Sequence, residues 1–299
     1  MNKLTKRILS VFLAVAMIVT ILPQVATTQA ATKKSIVLYK GEKIYYTDYS
    51  AVKSVKSSNS KIVKASKDKS NTNHANMVAK KAGKANVNIS TRSGKTTIAV
   101  TVRSAKFEAK LLSANAGGNI LVSVKNKSKD TFDKVTIKYT IKDLDGGVIA
   151  QKSETMSYLL AGKVAYTNIY VGSSNLENID LSQSSVKVTE YDRTWLGYTY
   201  TDVSSKVKAT PEITDENESS VSYNIKLKNG YNSYVYGKLY TMIYDANDNL
   251  IGVESSSISL DKKEIKTLNY GYFSKRYYPN YDHMKLVVNA YATKRDNKF

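Results

Sequence analysis

The 299-residue sequence contains no cysteine, three prolines, two histidines and one tryptophan. Without cysteine, disulfide bonds, thiol nucleophiles and thiolate zinc sites are excluded. The two histidines, His74 and His283, lie in polar loops far apart in the sequence, which is not the pattern of a nucleophile–base pair or a zinc site. The sequence therefore predicts a non-catalytic protein without a cofactor or a metal.

Beyond the first thirty residues, apolar residues do not recur with the 3.6-residue period of helices. They alternate with polar residues instead, which is typical of strands with one buried face. The clearest case is Val135, Ile137, Tyr139 and Ile141, which alternate with lysines and threonines. This pattern predicts an all-β protein made of three tandem immunoglobulin-like β-sandwich domains.

Residues 1–30 have the features of a secretory signal peptide. A basic start with Lys3, Lys6 and Arg7 precedes an apolar run from Ile8 to Leu22, and small residues end at Ala30. Cleavage after Ala30 would leave no transmembrane segment in the mature chain. An uncleaved membrane anchor is the alternative, although the run is shorter than the ~20 residues that span a bilayer. We expect a secreted protein, associated with the cell wall of a Gram-positive bacterium.

Positive charge is concentrated in residues 31–104. This segment has sixteen lysines and arginines against three acids, whereas residues 105–299 have twenty-six against twenty-two. Such a field attracts polyanions, and outside a Gram-positive cell these are wall teichoic acids, anionic lipids and shed DNA. The alternative is a solvated surface that only maintains solubility. The predicted polyanion-binding residues are Lys53, Lys56, Lys61, Lys64, Lys67, Lys69, Lys80, Lys81 and Lys84.

Five pieces of this segment carry a resemblance to a known family. In order they are Leu38–Glu42, Ser57–Asn59 with Ile62-Val63, Ala79–Ala85, Gly94-Lys95 and Ile98–Val102. Together they resemble the bacterial immunoglobulin-like domain, group 2. The resemblance implies a small β-sandwich that serves as a spacer or binding module.

The rest of the chain contains a repeat. Asn126 and Asn229 each end a strand pattern, Asp143 and Asp245 each end a longer one, and Val186–Tyr191 matches Leu286–Tyr291. Each copy resembles the FxLYD-type β-sandwich of bacterial secreted and membrane-attached proteins, which implies no catalytic residues. The predicted domains are residues 31–104, 105–209 and 210–299. Their second boundary is a linker at Ala209-Thr210-Pro211, followed by the polar run Glu212–Ser220.

Two residue groups have alternative interpretations. Asp143–Gly147 and Asp245–Asn249 are typical of tight turns, with calcium binding as the alternative. Twelve of the twenty-three tyrosines follow residue 220, and the strand Leu239–Tyr244 is apolar on both faces. Burial between domains explains such a strand. The alternative is an exposed aromatic surface, made of Tyr240, Tyr244, Tyr277 and Tyr278, that binds a glycan or a protein.

These observations predict a non-catalytic protein of the cell envelope. Its lysine-rich domain would bind wall polyanions or glycans, with the aromatic surface as a second contact to a glycan or another surface protein. The alternative is a structural protein that associates with other envelope proteins through its sandwich faces. Specific nucleic-acid recognition is not expected, because the basic segment has no known nucleic-acid-binding motif.

Overall fold

The computed structural model describes residues 32–193 and 198–295, which fall into two compact units divided between Val102 and Arg103. The predicted signal peptide, its cleavage site after Ala30, and Trp195 lie outside the described residues. The described chain consists of twenty strands and two short 3₁₀ helices, Ser173–Asn178 and Ser204–Lys206. The predicted all-β sandwich fold is confirmed.

The first unit is a sandwich of a four-stranded and a three-stranded sheet. Its strands are β1 (Thr32–Tyr39), β2 (Lys43–Thr47), β3 (Val52–Ser57), β4 (Val63–Lys67), β5 (His74–Ala79), β6 (Gly83–Thr91) and β7 (Lys95–Arg103). The sheet orders are β1-β7-β6-β3 and β2-β5-β4. Alternate residues of both sheets, including Val87 and Val100 on one and Val63 and Met77 on the other, are almost completely buried. The core therefore lies between the sheets, and each sheet turns a polar face outward.

The second unit contains two pairs of sheets. The strands of the first pair are β8 (Phe107–Ala114), β9 (Asn119–Asn126), β10 (Phe132–Asp143), β11 (Val148–Leu159), β12 (Val164–Tyr170) and β13 (Ile179–Asp192). Their orders are β11-β10-β13 and β12-β9-β8. The rings of Phe107, Phe132 and Tyr191 meet edge-on or tilted and join the two sheets.

The second pair adds one strand to the same plan. Its strands are β14 (Tyr198–Asp202), β15 (Val207–Glu216), β16 (Ser220–Asn229), β17 (Val235–Tyr244), β18 (Leu250–Leu260), β19 (Ile265–Ser274) and β20 (His283–Arg295). The orders are β14-β20-β17-β18 and β15-β16-β19. Buried residues of both sheets, such as Leu227, Leu239 and Ile243, form one continuous core.

The two sheet pairs of the second unit repeat details of the predicted copies. Asn126 and Asn229 are fully buried at equivalent strand ends. The Asn126 amide donates to the carbonyls of Asp130 and Leu159, and the Asn229 amide donates to those of Ser233 and Asp261. Each asparagine thus ties a loop to the end of a strand in the same way.

The segment predicted to be a linker is part of a strand. Ala209, Thr210 and Pro211 lie within β15, where Pro211 is paired with Ile225 of β16. Because β15 is an edge strand, proline's missing N–H removes no hydrogen bond from a second neighbour. Strand pairing also crosses the predicted boundary at residue 210, because β14 precedes that residue and pairs with β20, which follows it.

The two sandwiches of the second unit pack against each other through outer sheet faces. Tyr166 of β12 meets Tyr240 of β17 edge-on, with 5.5 Å between ring centroids. The Asn168 amide donates to the Val253 carbonyl (2.8 Å), and the Asn289 amide donates to the Val164 carbonyl (2.7 Å). This interface buries Tyr240 and confirms that the strand with two apolar faces is covered by a neighbouring sandwich.

Candidate functional site: the lysine-rich surface of the first unit

All nine predicted lysines are exposed on the first unit. Lys53 and Lys56 are on β3, Lys64 and Lys67 on β4, and Lys84 on β6, whereas Lys61, Lys69, Lys80 and Lys81 are in the connections between strands. They occupy outward positions because inward positions of the same strands hold the apolar core. None of the nine forms an ion pair within the described part of the chain.

Asp48 and Asp68, two of the three carboxylates in residues 31–104, accept hydrogen bonds from neutral donors. Burial raises the pKa of Asp48, but hydrogen bonds from Ser50 and Ser93 outweigh this effect and lower it. The Ser70 hydroxyl and backbone N–H, together with the Asn76 amide, lower the pKa of Asp68 to about 2. These two acids are therefore ionised and are committed to local turns, and among the described residues neither forms an ion pair with the nine lysines.

Two of the four predicted aromatic-surface residues are buried. Tyr240 and Tyr278 are each only 3% exposed, so neither can contribute to an exposed aromatic surface. The Tyr278 hydroxyl donates to Glu254 Oε1 (3.0 Å), and its ring fits over Gly252, where a Cβ would lie 2.1 Å from the ring. Burial raises the pKa of Tyr278 and also that of Glu254. The sequence could not distinguish these rings from exposed ones, because the covering residues come from distant segments.

The other two predicted aromatic residues, Tyr244 and Tyr277, are more accessible and have different neighbours. Tyr244 is half-buried and stacks on His283, with 5.2 Å between ring centroids, while Lys285 Nζ lies 4.8 Å from the Tyr244 centroid. Tyr277 is 46% exposed and lies against Gly117 of the neighbouring sandwich. His283 also contacts the carboxylates of Asp282 and Asp248.

A row of five tyrosines, which the sequence did not single out, crosses both sandwiches of the second unit. In order of ring contact they are Tyr234, Tyr236, Tyr291, Tyr158 and Tyr200, with neighbouring centroids 4.5 to 6.3 Å apart. Tyr158 has a φ of 54°, which is unusual for a non-glycine residue, and this conformation places its ring against Tyr291. Tyr234, Tyr236 and Tyr158 are 38–44% exposed.

The clustered aspartates of the second unit cap hairpin turns. Asp143 Oδ1 accepts the N–H groups of Asp145 and Gly147, and Asp245 Oδ1 accepts those of Asn247 and Asn249. These bonds are the turn interactions expected of aspartate between two strands. In the described ranges, 32–193 and 198–295, no three acidic or histidine side chains come together as a metal site would require.

Comparison with known proteins adds only structural similarity. No family model matches this chain, and no curated protein matches it. Solved structures similar to it include red sea bream transglutaminase (11% identity, TM-score 0.19, 65% of this chain and 30% of that one). A second is a β-galactosidase of Bacteroides fragilis, with 14% identity and a TM-score of 0.21 over 72% of this chain and 31% of that one. A third is trypsin-activated α-2-macroglobulin from Escherichia coli, with 7% identity and a TM-score of 0.20 over 84% of this chain and 22% of that one.

This chain spans less than a third of each of those three structures, and TM-scores near 0.2 carry no functional argument. Within the described residues, no helix has the length and apolar character needed to cross a membrane.

Proposed function

We propose that this protein is a secreted, non-catalytic component of a Gram-positive cell envelope that binds wall polyanions through its first unit. Residues 32–103 would be a bacterial immunoglobulin-like domain of group 2, and the second unit would hold two FxLYD-type sandwiches. The observation that carries the proposal is the set of nine exposed lysines, none of which has a carboxylate partner in the part of the chain that the structure describes. A surface of this kind recruits polymers of negative charge and releases them as salt rises.

Co-sedimentation with purified Gram-positive cell walls tests this proposal. Residues 31–299 should bind walls at low salt and dissociate as salt rises from about 0.05 to 0.5 M, because screening shortens the range of the lysine field. Chemical removal of teichoic acids, or replacement of all nine lysines by glutamine, should abolish binding. Wall binding that is indifferent to both treatments would refute the proposal.

The row of five tyrosines favours a second candidate function. In this alternative the protein is an assembly component that associates with another envelope protein through its sandwich faces, since interfaces are enriched in tyrosine. Aromatic contacts persist at high salt, whereas lysine–polyanion contacts do not. Wall association that survives about 0.5 M salt and is lost on replacing Tyr158 and Tyr236 by alanine would favour this alternative.

A further inference from the structure

The outer face of the sheet β2-β5-β4 forms a shallow groove on the first unit. Its volume is about 460 Å³, and its lining residues are Lys43, Ile44, Tyr45, Lys64, Ser66, Asn76, Met77, Val78 and Lys80. Strand pairing fixes two rows across it: Lys43 and Lys64 both lie opposite Val78, and Tyr45 and Ser66 both lie opposite Asn76. The groove is therefore organised as a row of cations beside a row of aromatic and polar groups.

Among the described residues, three lysines and no carboxylate line this groove. Lys43 and Lys64 are separated by one strand, which places their Cα atoms ~10 Å apart, twice the spacing between neighbouring strands. Lys80 follows the end of β5 and adds a third cation at the same end. Val78 lies between Lys43 and Lys64 and gives the aliphatic parts of both lysines an apolar surface to rest on. An anion placed over Val78 would be within reach of ammonium groups from both sides.

Tyr45 adds an aromatic surface next to the cations. Its ring is 65% exposed, and it stacks on His74 with 4.9 Å between centroids and 17° between the planes. This contact restrains the ring and reduces the entropy lost when a ligand packs on it. Asn76 and Ser66 lie beside it and offer an amide and a hydroxyl group for the hydroxyls of a sugar.

The two ends of the groove also differ in charge. Asp68, which lies between Lys67 and Lys69 in the sequence, follows Ser66 at the end opposite Lys43, Lys64 and Lys80, and it is held there by hydrogen bonds from Ser70 and Asn76. This carboxylate disfavours an anion at the Tyr45 end, while the lysines favour one at the other end. The expected ligand thus has a negative charge on one side and an uncharged ring on the other.

We propose that this groove is the specific binding site for a wall polymer of polyol phosphates that carries sugar substituents. A phosphodiester would lie between Lys43, Lys64 and Lys80, and a neighbouring sugar ring would pack on Tyr45. This inference rests on the proposed function and refines it, because it replaces a diffuse field of lysines by one site with a defined ligand class.

Two triple variants of the full chain, matched in charge, test the site. Lys43, Lys64 and Lys80 are replaced by glutamine in one, and Lys53, Lys56 and Lys84 on the other sheet are replaced in the second. Binding to purified glycosylated poly(ribitol phosphate) at fixed salt should weaken about tenfold or more in the groove variant and about twofold in the control. Tyr45→Ala should lose about fivefold in affinity for the glycosylated polymer and little for the same polymer without sugars.

The outcomes separate this inference from the proposed function. Equal losses in both triple variants would overturn the groove and leave a diffuse polyanion-binding surface. Failure of the unaltered protein to bind either polymer would overturn both. Tighter binding to vesicles of phosphatidylglycerol than to the polymers would assign the lysines to a lipid surface and also reject the site. Amide shifts in NMR spectra of the unaltered protein, expected at Lys43, Tyr45 and Val78, check the location without any substitution.

Discussion

The two sandwiches of the second unit share a strand plan but differ in what covers their outer faces. The outer face of β10 carries exposed Lys138, whereas the corresponding position of β17 is Tyr240, which is 3% exposed. The inward positions of both strands include fully buried apolar residues, such as Ile137 and Leu239. The outward residue is thus decided by whether a neighbouring sandwich lies over it, and the inward residue by the core of its own sandwich.

The comparison extends to the first unit, whose outer face on β2-β5-β4 is also uncovered. That face keeps lysines and an exposed tyrosine, and the unit commits Asp48 and Asp68 to turns. The second unit instead pairs Lys163 with Asp202 and joins Tyr200 to Asp133 across its two sandwiches. The uncovered faces therefore expose lysines to solvent, while covered tyrosine-rich faces hold the second unit together.

Replacing Tyr240 by alanine in one variant and Lys138 by alanine in another should give the largest contrast in the free energy of unfolding. Tyr240→Ala removes a buried ring between the sandwiches and should lower the free energy of unfolding by about 3–5 kcal/mol. Lys138→Ala alters an exposed position and should change it by less than about 0.5 kcal/mol. Urea unfolding of the purified chain measures both. Equal, small changes would show that the interface does not stabilise the second unit.

The sequence was sufficient to predict the all-β fold and the repeat. Period-two alternation marked β10, the repeat located β17, and the two apolar faces of Leu239–Tyr244 indicated burial between domains. It was insufficient wherever a residue's surroundings come from distant segments. Pro211 looked like a linker residue because the edge position of β15 follows from its pairing alone. The exposure of Tyr158 and the burial of Tyr278 depend on contacts across the unit in the same way.

The two strand-end asparagines should contribute equally to the free energy of unfolding, although the outer faces of their two sandwiches differ. Asn126→Ala and Asn229→Ala each remove a buried hydrogen-bond acceptor and the amide donors to two carbonyls. Each substitution should therefore lower the free energy of unfolding by about 3 kcal/mol. Urea unfolding again measures the loss. Aspartate at either position keeps the acceptor but not the amide donors, and it should not restore stability. A large loss in only one copy would contradict the structural equivalence of the two strand ends.

Alkaline pH should reduce the contribution of the covered tyrosines to the free energy of unfolding. Burial raises the pKa of Tyr240 to about 12, whereas an unfolded tyrosine titrates near 10. Because the folded value is the higher one, the stabilisation is complete below pH 10 and is lost as pH rises from 10 towards 12. Tyr240→Phe removes this titration, so the difference in unfolding free energy between wild type and variant should shift by about 1.4 kcal/mol between pH 9 and 11.

The measurement at pH 9 serves as the internal control for this comparison, since it reports only the loss of the hydroxyl and its hydrogen bonds. Between pH 9 and 11 the wild type should lose more stability than Tyr240→Phe, because the variant has no phenol to ionise at position 240. Parallel pH profiles for the two proteins would mean that the Tyr240 hydroxyl is accessible to water in the folded state. The sheet face of β17 would then resemble the uncovered faces of β10 and of the first unit.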